Sequence, residues 1–153
     1  MPLSKSIEAV LSICLAALLG ACAGGPGSPY PPAAQCPQPR FTGKAPNRIY
    51  NLSNPLLGNQ ADVAAGRSLY EKDASPSCQT CHGIKGDGRG PLSAQFDPPP
   101  RNFACAQTVN GIPDGQLFWI IRNGSPGTGM PDFHKLRDEQ IWQLVLHLRE
   151  LAR

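Results

Sequence analysis

Aromatic residues, charge and methionine are all scarce in this 153-residue sequence. Aromatics make up 7% and charged residues 16%, with a formal net charge of +3. A chain so weakly basic and so poor in aromatics does not read as a nucleic-acid binder, and it has no acidic tail. The apolar run from Ala9 to Leu19, broken by Ser12 and Cys14, is too short for a stable transmembrane helix. Only Met1 and Met130 are methionines. Proline and glycine are plentiful instead, at 17 and 16 residues, which predicts long irregular segments. The length suits one modest domain with appendages.

The stretch that carries chemistry is Cys78-Gln79-Thr80-Cys81-His82. Two thiols three residues apart, with an imidazole directly after the second, suit covalent attachment of a c-type haem. The thiols become thioethers and the adjacent imidazole reaches the iron from one face. A zinc knuckle would need a second Cys or His pair at matching spacing, and none is present. A redox dithiol of the thioredoxin type would need a strand before Cys78, and nothing there reads as one. A structural disulfide within the motif is the remaining alternative.

The N-terminus reads as an export signal over residues 1–21, with Lys5 as its charged head. It ends in Leu19-Gly20-Ala21-Cys22, which resembles a bacterial lipobox. That resemblance implies cleavage before Cys22 and acylation of that residue; ordinary cleavage after Ala23 is the alternative. Several acyl chains would give lasting attachment, at about 0.8 kcal/mol per buried methylene. By likeness to other lipoproteins, Ala23 leans towards the outer membrane. Export fits the haem motif, because bacterial c-type haem is attached outside the cytoplasmic membrane.

Residues 22–60 form the expected tether and arm. From Cys22 to about Arg40 the chain is rich in Gly and Pro, hence a semi-rigid spacer. From Phe41 to Gln60 apolar residues return among turn formers, predicting an irregular arm lying on the domain surface. Arg40, Lys44 and Arg48 there carry the net positive charge, while Lys/Arg and Asp/Glu balance from Ala61 onward. Strong electrostatic steering is therefore not expected, and a largely apolar docking face is.

Within the expected domain, 61–153, a first helix is predicted from an Asn59-to-Asp62 cap to near Lys72. Its interior Gly66 costs helix stability, so another helix should approach closely there. A last helix starts at Asp138-Glu139 with an apolar stripe that includes Ile141, Trp142, Val145 and Leu148. The two should cross, with Gly66 and Tyr70 against Trp142, Val145 and Leu148. A middle helix is predicted from an Asp114 cap through Leu117, Phe118 and Ile121, stopped by Asn123-Gly124. Phe118 or Trp119 should face the core or the macrocycle. The glycines from Gly83 to Gly90 are expected to let backbone run close to a flat ligand.

Together, Cys78-x-x-Cys81-His82-Gly83, the loop into Gly90-Pro91, the Pro-Pro-Arg101-Asn-Phe stretch and Gly129-Met130-Pro131 resemble a class I monohaem cytochrome c. The likeness covers about Ala61 to Arg153 and implies an all-α fold wrapped around one haem c. It further implies that the carbonyl of Pro91 accepts the ring N–H of His82. Arg101 would contact a haem propionate, the alternative being an exposed surface Arg. Met130, in a Gly/Pro loop, would be the sixth ligand, with His134 and His147 as competitors. Cys36 and Cys105 are the thiols left over once signal, lipid and haem have taken theirs. In an exported chain they suggest a disulfide, against two free thiols.

The expected function is single-electron transfer on the periplasmic side of a bacterial membrane, with redox proteins as partners and no nucleic acid. Alternatives are a subunit of a larger respiratory or dehydrogenase complex, a haem enzyme or gas sensor with a displaceable Met130, and a haemless structural lipoprotein.

Overall fold

The computed structural model describes residues 32–56 and 59–153. The expected signal, Cys22 and the first part of the tether lie outside the described residues.

The described chain is all-α, with no strand among the described residues. Its helices are α1 (Asn47–Tyr50), α2 (Gln60–Ser68), α3 (Gln79–His82), α4 (Ala106–Val109), α5 (Asp114–Asn123) and α6 (Asp138–Leu151). No helix among the described residues is long and apolar enough to cross a membrane.

Helix α2 starts where the sequence implied, with Asn59 Oδ1 accepting from the Ala61 N–H at 2.8 Å. It runs on into a wider π-type turn, Leu69–Asp73, that buries Leu69 and Tyr70. The crossing of α2 with α6 is present, one position away from the expected contact. A Cβ on Gly66 would lie 1.9 Å from the backbone oxygen of Gln143, so the two backbones touch. The neighbour of Gly66 is therefore the Gln143–Leu144 peptide rather than Trp142. Tyr70 meets His147, with ring centroids 5.1 Å apart. Gln143 clamps the crossing by donating to Asp62 Oδ1 at 2.8 Å.

The expected middle helix spans Asp114 to Asn123, but Asp114 is not its cap; Pro113 holds that position. The Asp114 carboxylate instead accepts from Arg149 at 2.6 Å, and Arg149 also donates to the carbonyls of Val109 and Ile112. One guanidinium thus joins α6 to the ends of α4 and α5. Phe118 is the buried aromatic of α5, stacked on Trp142 at 4.3 Å, while Trp119 packs beside Gly43 of the arm.

The arm is docked along its described length, including residues 32–40, which the sequence had suggested were spacer. Gln38, only 1% exposed, is one of its anchors. Its backbone N–H donates to Thr108 Oγ1 at 2.9 Å and its side-chain oxygen accepts from the Asn102 N–H at 3.0 Å. Cys36 and Cys105 are joined by a disulfide across 69 residues. Farther on, Gln116 accepts from the Ala45 N–H and donates to the Gly43 carbonyl. Asn54 donates to the Trp142 carbonyl at 2.9 Å. A buried polar side chain satisfied at every atom acts as a locating pin rather than a cost.

Two outcomes follow. Gly66→Ala should destabilise the fold by about 3 kcal/mol, since the added methyl meets backbone that cannot swing aside; thermal melts followed by far-ultraviolet circular dichroism measure it. Replacing both Cys36 and Cys105 by Ser should cost about 4 kcal/mol on the chain-entropy account of so long a loop, read as a lower denaturant midpoint with the haem motif intact.

Candidate haem site

The Cys78-to-His82 stretch folds as a single helical turn, α3, whose His82 N–H bonds back to the Cys78 carbonyl at 2.9 Å. The glycine-rich loop packs on the turn through backbone hydrogen bonds. The Gly90 N–H donates to the Cys81 carbonyl, the Leu92 N–H to Thr80 and the Gly88 N–H to His82. Gly88 has φ +79°, and a Cβ there would sit 2.7 Å from the Pro100 carbonyl. Close approach of backbone to the α3 turn and the 98–103 segment accounts for Gly90 and Gly88. Tyr70, fully buried, anchors the end of the turn by donating to the Gly83 carbonyl at 2.7 Å. Burial raises its phenol well above the ordinary range, so it stays a donor.

His82 is buried against Phe103, their rings stacked 4.4 Å apart. Its Nδ1 lies 3.0 Å from the carbonyl of Arg101. A carbonyl can only accept, so Nδ1 carries the proton and Nε2 presents its lone pair. This corrects the expectation for Pro91, which is exposed and makes no such bond. The loop turns back at Gly90 so that Pro91 points outward, and the chain returns to His82 only at the 100–103 segment. Burial is the main cause of a fall in the imidazole pKa to about 4; the Arg40 and Arg101 charges lower it further and the carbonyl opposes them. Neutral imidazole is the form that binds a metal.

Burial likewise pushes the Cys78 thiol up to about 12 and raises Cys81. These are not the low-pKa thiolates of a redox dithiol. Among the described residues no group of three or more His, Cys, Asp or Glu side chains could hold a metal ion.

An apolar cleft opens beside the turn. It is lined by Cys78, Cys81 and His82 together with Leu117, Ile121, Leu144, Leu148, Phe96, Met130 and Phe133. The Met130 loop is braced locally, with Thr128 Oγ1 accepting from the Met130 N–H at 3.2 Å and donating to the Ser125 carbonyl at 2.7 Å. Phe96 packs on Gly129, directly before Met130. Neither competing histidine lines the cleft: His134 is exposed and paired with Asp132, and His147 lies against Tyr70. The structure therefore gathers Cys78, Cys81, His82, Arg101 and Met130 around one space and leaves out Pro91. Phe96 and Arg40 also line it, and the sequence had given neither a part in the site.

These groups fit a haem. The cleft has paired thiols, a neutral imidazole with its lone pair available, a thioether, apolar walls and guanidinium groups for carboxylates.

Comparisons agree with that chemistry. A solved chain of the reducing HAO-like protein complex Kustc0457/Kustc0458 of Kuenenia stuttgartiensis is similar at 27% identity with a TM-score of 0.57, over 68% of this chain and 49% of that one. The present chain thus spans about half the length of that structural relative. No curated protein matches. Residues 61–148 match the family model described as "Cytochrome C oxidase, cbb3-type, subunit III". The chain accordingly belongs to that family, and its matched region is a c-type cytochrome domain.

Proposed function

We propose that the protein is a single-electron carrier holding one haem c through thioethers at Cys78 and Cys81, with His82 and Met130 as axial ligands. The observation that carries this reading is the convergence of both thiols, the imidazole and the thioether on one apolar cleft. When bound, the haem supplies reversible one-electron chemistry. The Arg101 carbonyl holds the His82 ring and makes its free nitrogen more electron-rich. The Met130 thioether favours the reduced state and raises the potential. The apolar walls keep water from the cleft. With His82 and Met130 both holding the group, no open position would be left for a substrate, which favours electron transfer over turnover.

The protein would sit on the periplasmic side of a bacterial membrane, anchored by lipid at Cys22, with the outer membrane favoured. A second reading, a subunit of a larger redox complex, draws on the likeness to a chain of an HAO-like complex. Co-purification with other subunits after mild detergent extraction would favour it over a free carrier.

The oxidised protein should show the sulfur-to-iron charge-transfer band, and its absence would sink the Met130 assignment. In Met130→Ala the band should vanish, the potential should fall by on the order of 0.1 V, and the reduced protein should bind carbon monoxide. Tight carbon monoxide binding by the unaltered protein would instead point to a sensor or enzyme. For the anchor, Cys22→Ala should move the protein from the membrane to the soluble periplasmic fraction; continued membrane retention refutes lipid attachment at that residue.

A further inference from the structure

The docked arm is held at one point by a bond that thiol chemistry can open. Cys36 and Cys105 are joined across 69 residues, but their surroundings differ. Cys36 is exposed, as are Gln35 and Pro37 on either side of it, whereas Cys105 is buried at 2% exposure. Thiol–disulfide exchange depends on which sulfur a thiolate can reach and on how readily the other one leaves. Here the accessible residue is Cys36, so Cys105 is the leaving side. The Thr108 hydroxyl donates to Cys105 Sγ at 3.3 Å, a contact that becomes charge-assisted when that sulfur departs as a thiolate.

The same hydroxyl also anchors the arm. Thr108 Oγ1 accepts from the Gln38 N–H at 2.9 Å, and Gln38 Oε1 accepts from the Asn102 N–H at 3.0 Å. Directly before Cys36, the Gln35 carbonyl accepts from Asn102 Nδ2 at 3.3 Å. The arm beside the bridge therefore grips the residue next to Arg101, whose carbonyl meets His82 Nδ1. Opening the bridge leaves hydrogen bonds, each worth about 1 kcal/mol net, to hold what a covalent bond held.

We infer that the Cys36–Cys105 bridge is a thiol-exchange site through which an exported dithiol protein unlatches the arm from the segment that holds the His82 ring. The partner's thiolate attacks Cys36 Sγ, the bond between the two sulfurs breaks, and Cys105 leaves as a thiolate that takes up a proton. The partner's second thiol then attacks the mixed disulfide and releases Cys36 as a thiol. The bridge gains the two electrons and two protons that the partner loses, and the partner ends as a disulfide. That the partner is an exported protein rests on the function proposed above; the chemistry at the bridge does not.

The test uses full-length protein with haem attached and two probes. Glutathione, a monothiol, marks the sulfur that is attacked, and peptide mapping by mass spectrometry should find its adduct on Cys36 with Cys105 as the free thiol. An adduct on Cys105, or none while the protein stays folded, overturns the inference. Dithiothreitol then opens the bridge fully, and amide hydrogen exchange is followed by NMR with the haem kept reduced by ascorbate in both samples. The Gln38 and Asn102 amides should exchange about tenfold faster or more once the bridge is open, as in local unfolding, while those of α6 keep their protection. Unchanged exchange at Gln38 and Asn102 refutes the latch. Loss of α6 protection in step with them also refutes it, because the bridge would then hold the whole fold rather than the arm. Failure of the haem reading looks different: the unaltered protein would carry no covalent haem on a denaturing gel.

Discussion

The bond between His82 Nδ1 and the carbonyl of Arg101 is the constraint on which the site depends. It fixes the tautomer, and the tautomer decides which nitrogen faces the cleft. A carbonyl can do this only if its own backbone is held, and the 98–103 segment is held from both sides. Gly86 accepts from the Phe103 N–H on one side, and Gln38 accepts from the Asn102 N–H on the other. The imidazole is therefore positioned by a short stack of backbone whose outermost layer is the N-terminal arm. Removing the arm would expose the segment that holds the His82 ring.

The docked arm also changes the electrostatic character of the cytochrome domain. Taken alone, residues 61–153 carry balanced charge and would approach a partner with little preference. The arm adds Arg40, Lys44 and Arg48, and Arg40 places part of that positive charge at the cleft. Beside it Phe41 stands 90% exposed. A charged group turned inward next to a large apolar group turned outward gives this edge two distinct faces, one towards the cleft and one towards solvent.

Much of this was legible in the sequence because its carriers are side chains with fixed spacing. The Cys78-to-His82 motif, the apolar stripe of α6 and the lone Met130 all belong to that class. Gly66 was legible through its cost: a mid-helix glycine signals a close neighbour, and α6 is that neighbour. What escaped was carried by backbone or by isolated polar groups. The Arg101 carbonyl leaves no mark in a sequence, so resemblance assigned its role to Pro91. Gln38 sits among prolines with no periodicity to betray its burial, so the segment around it read as spacer. Asp114 looked like a helix cap because nothing local announced Arg149, which arrives from the last helix. In each case the missing information was which distant segment returns.

The contact between α2 and α6 has a consequence for how the protein is made. Its clamp joins Asp62 to Gln143, 81 residues apart in sequence. A contact so distant along the chain forms late, after the entropy of closing the intervening loop has been met. The lining of the cleft includes Leu144 and Leu148 of that same final helix. Until that helix has docked, the cleft is incomplete, and Cys78 and Cys81 belong to an open chain. The order of elements thus leaves both thiols in an open chain, within reach of attachment chemistry, until the last helix arrives.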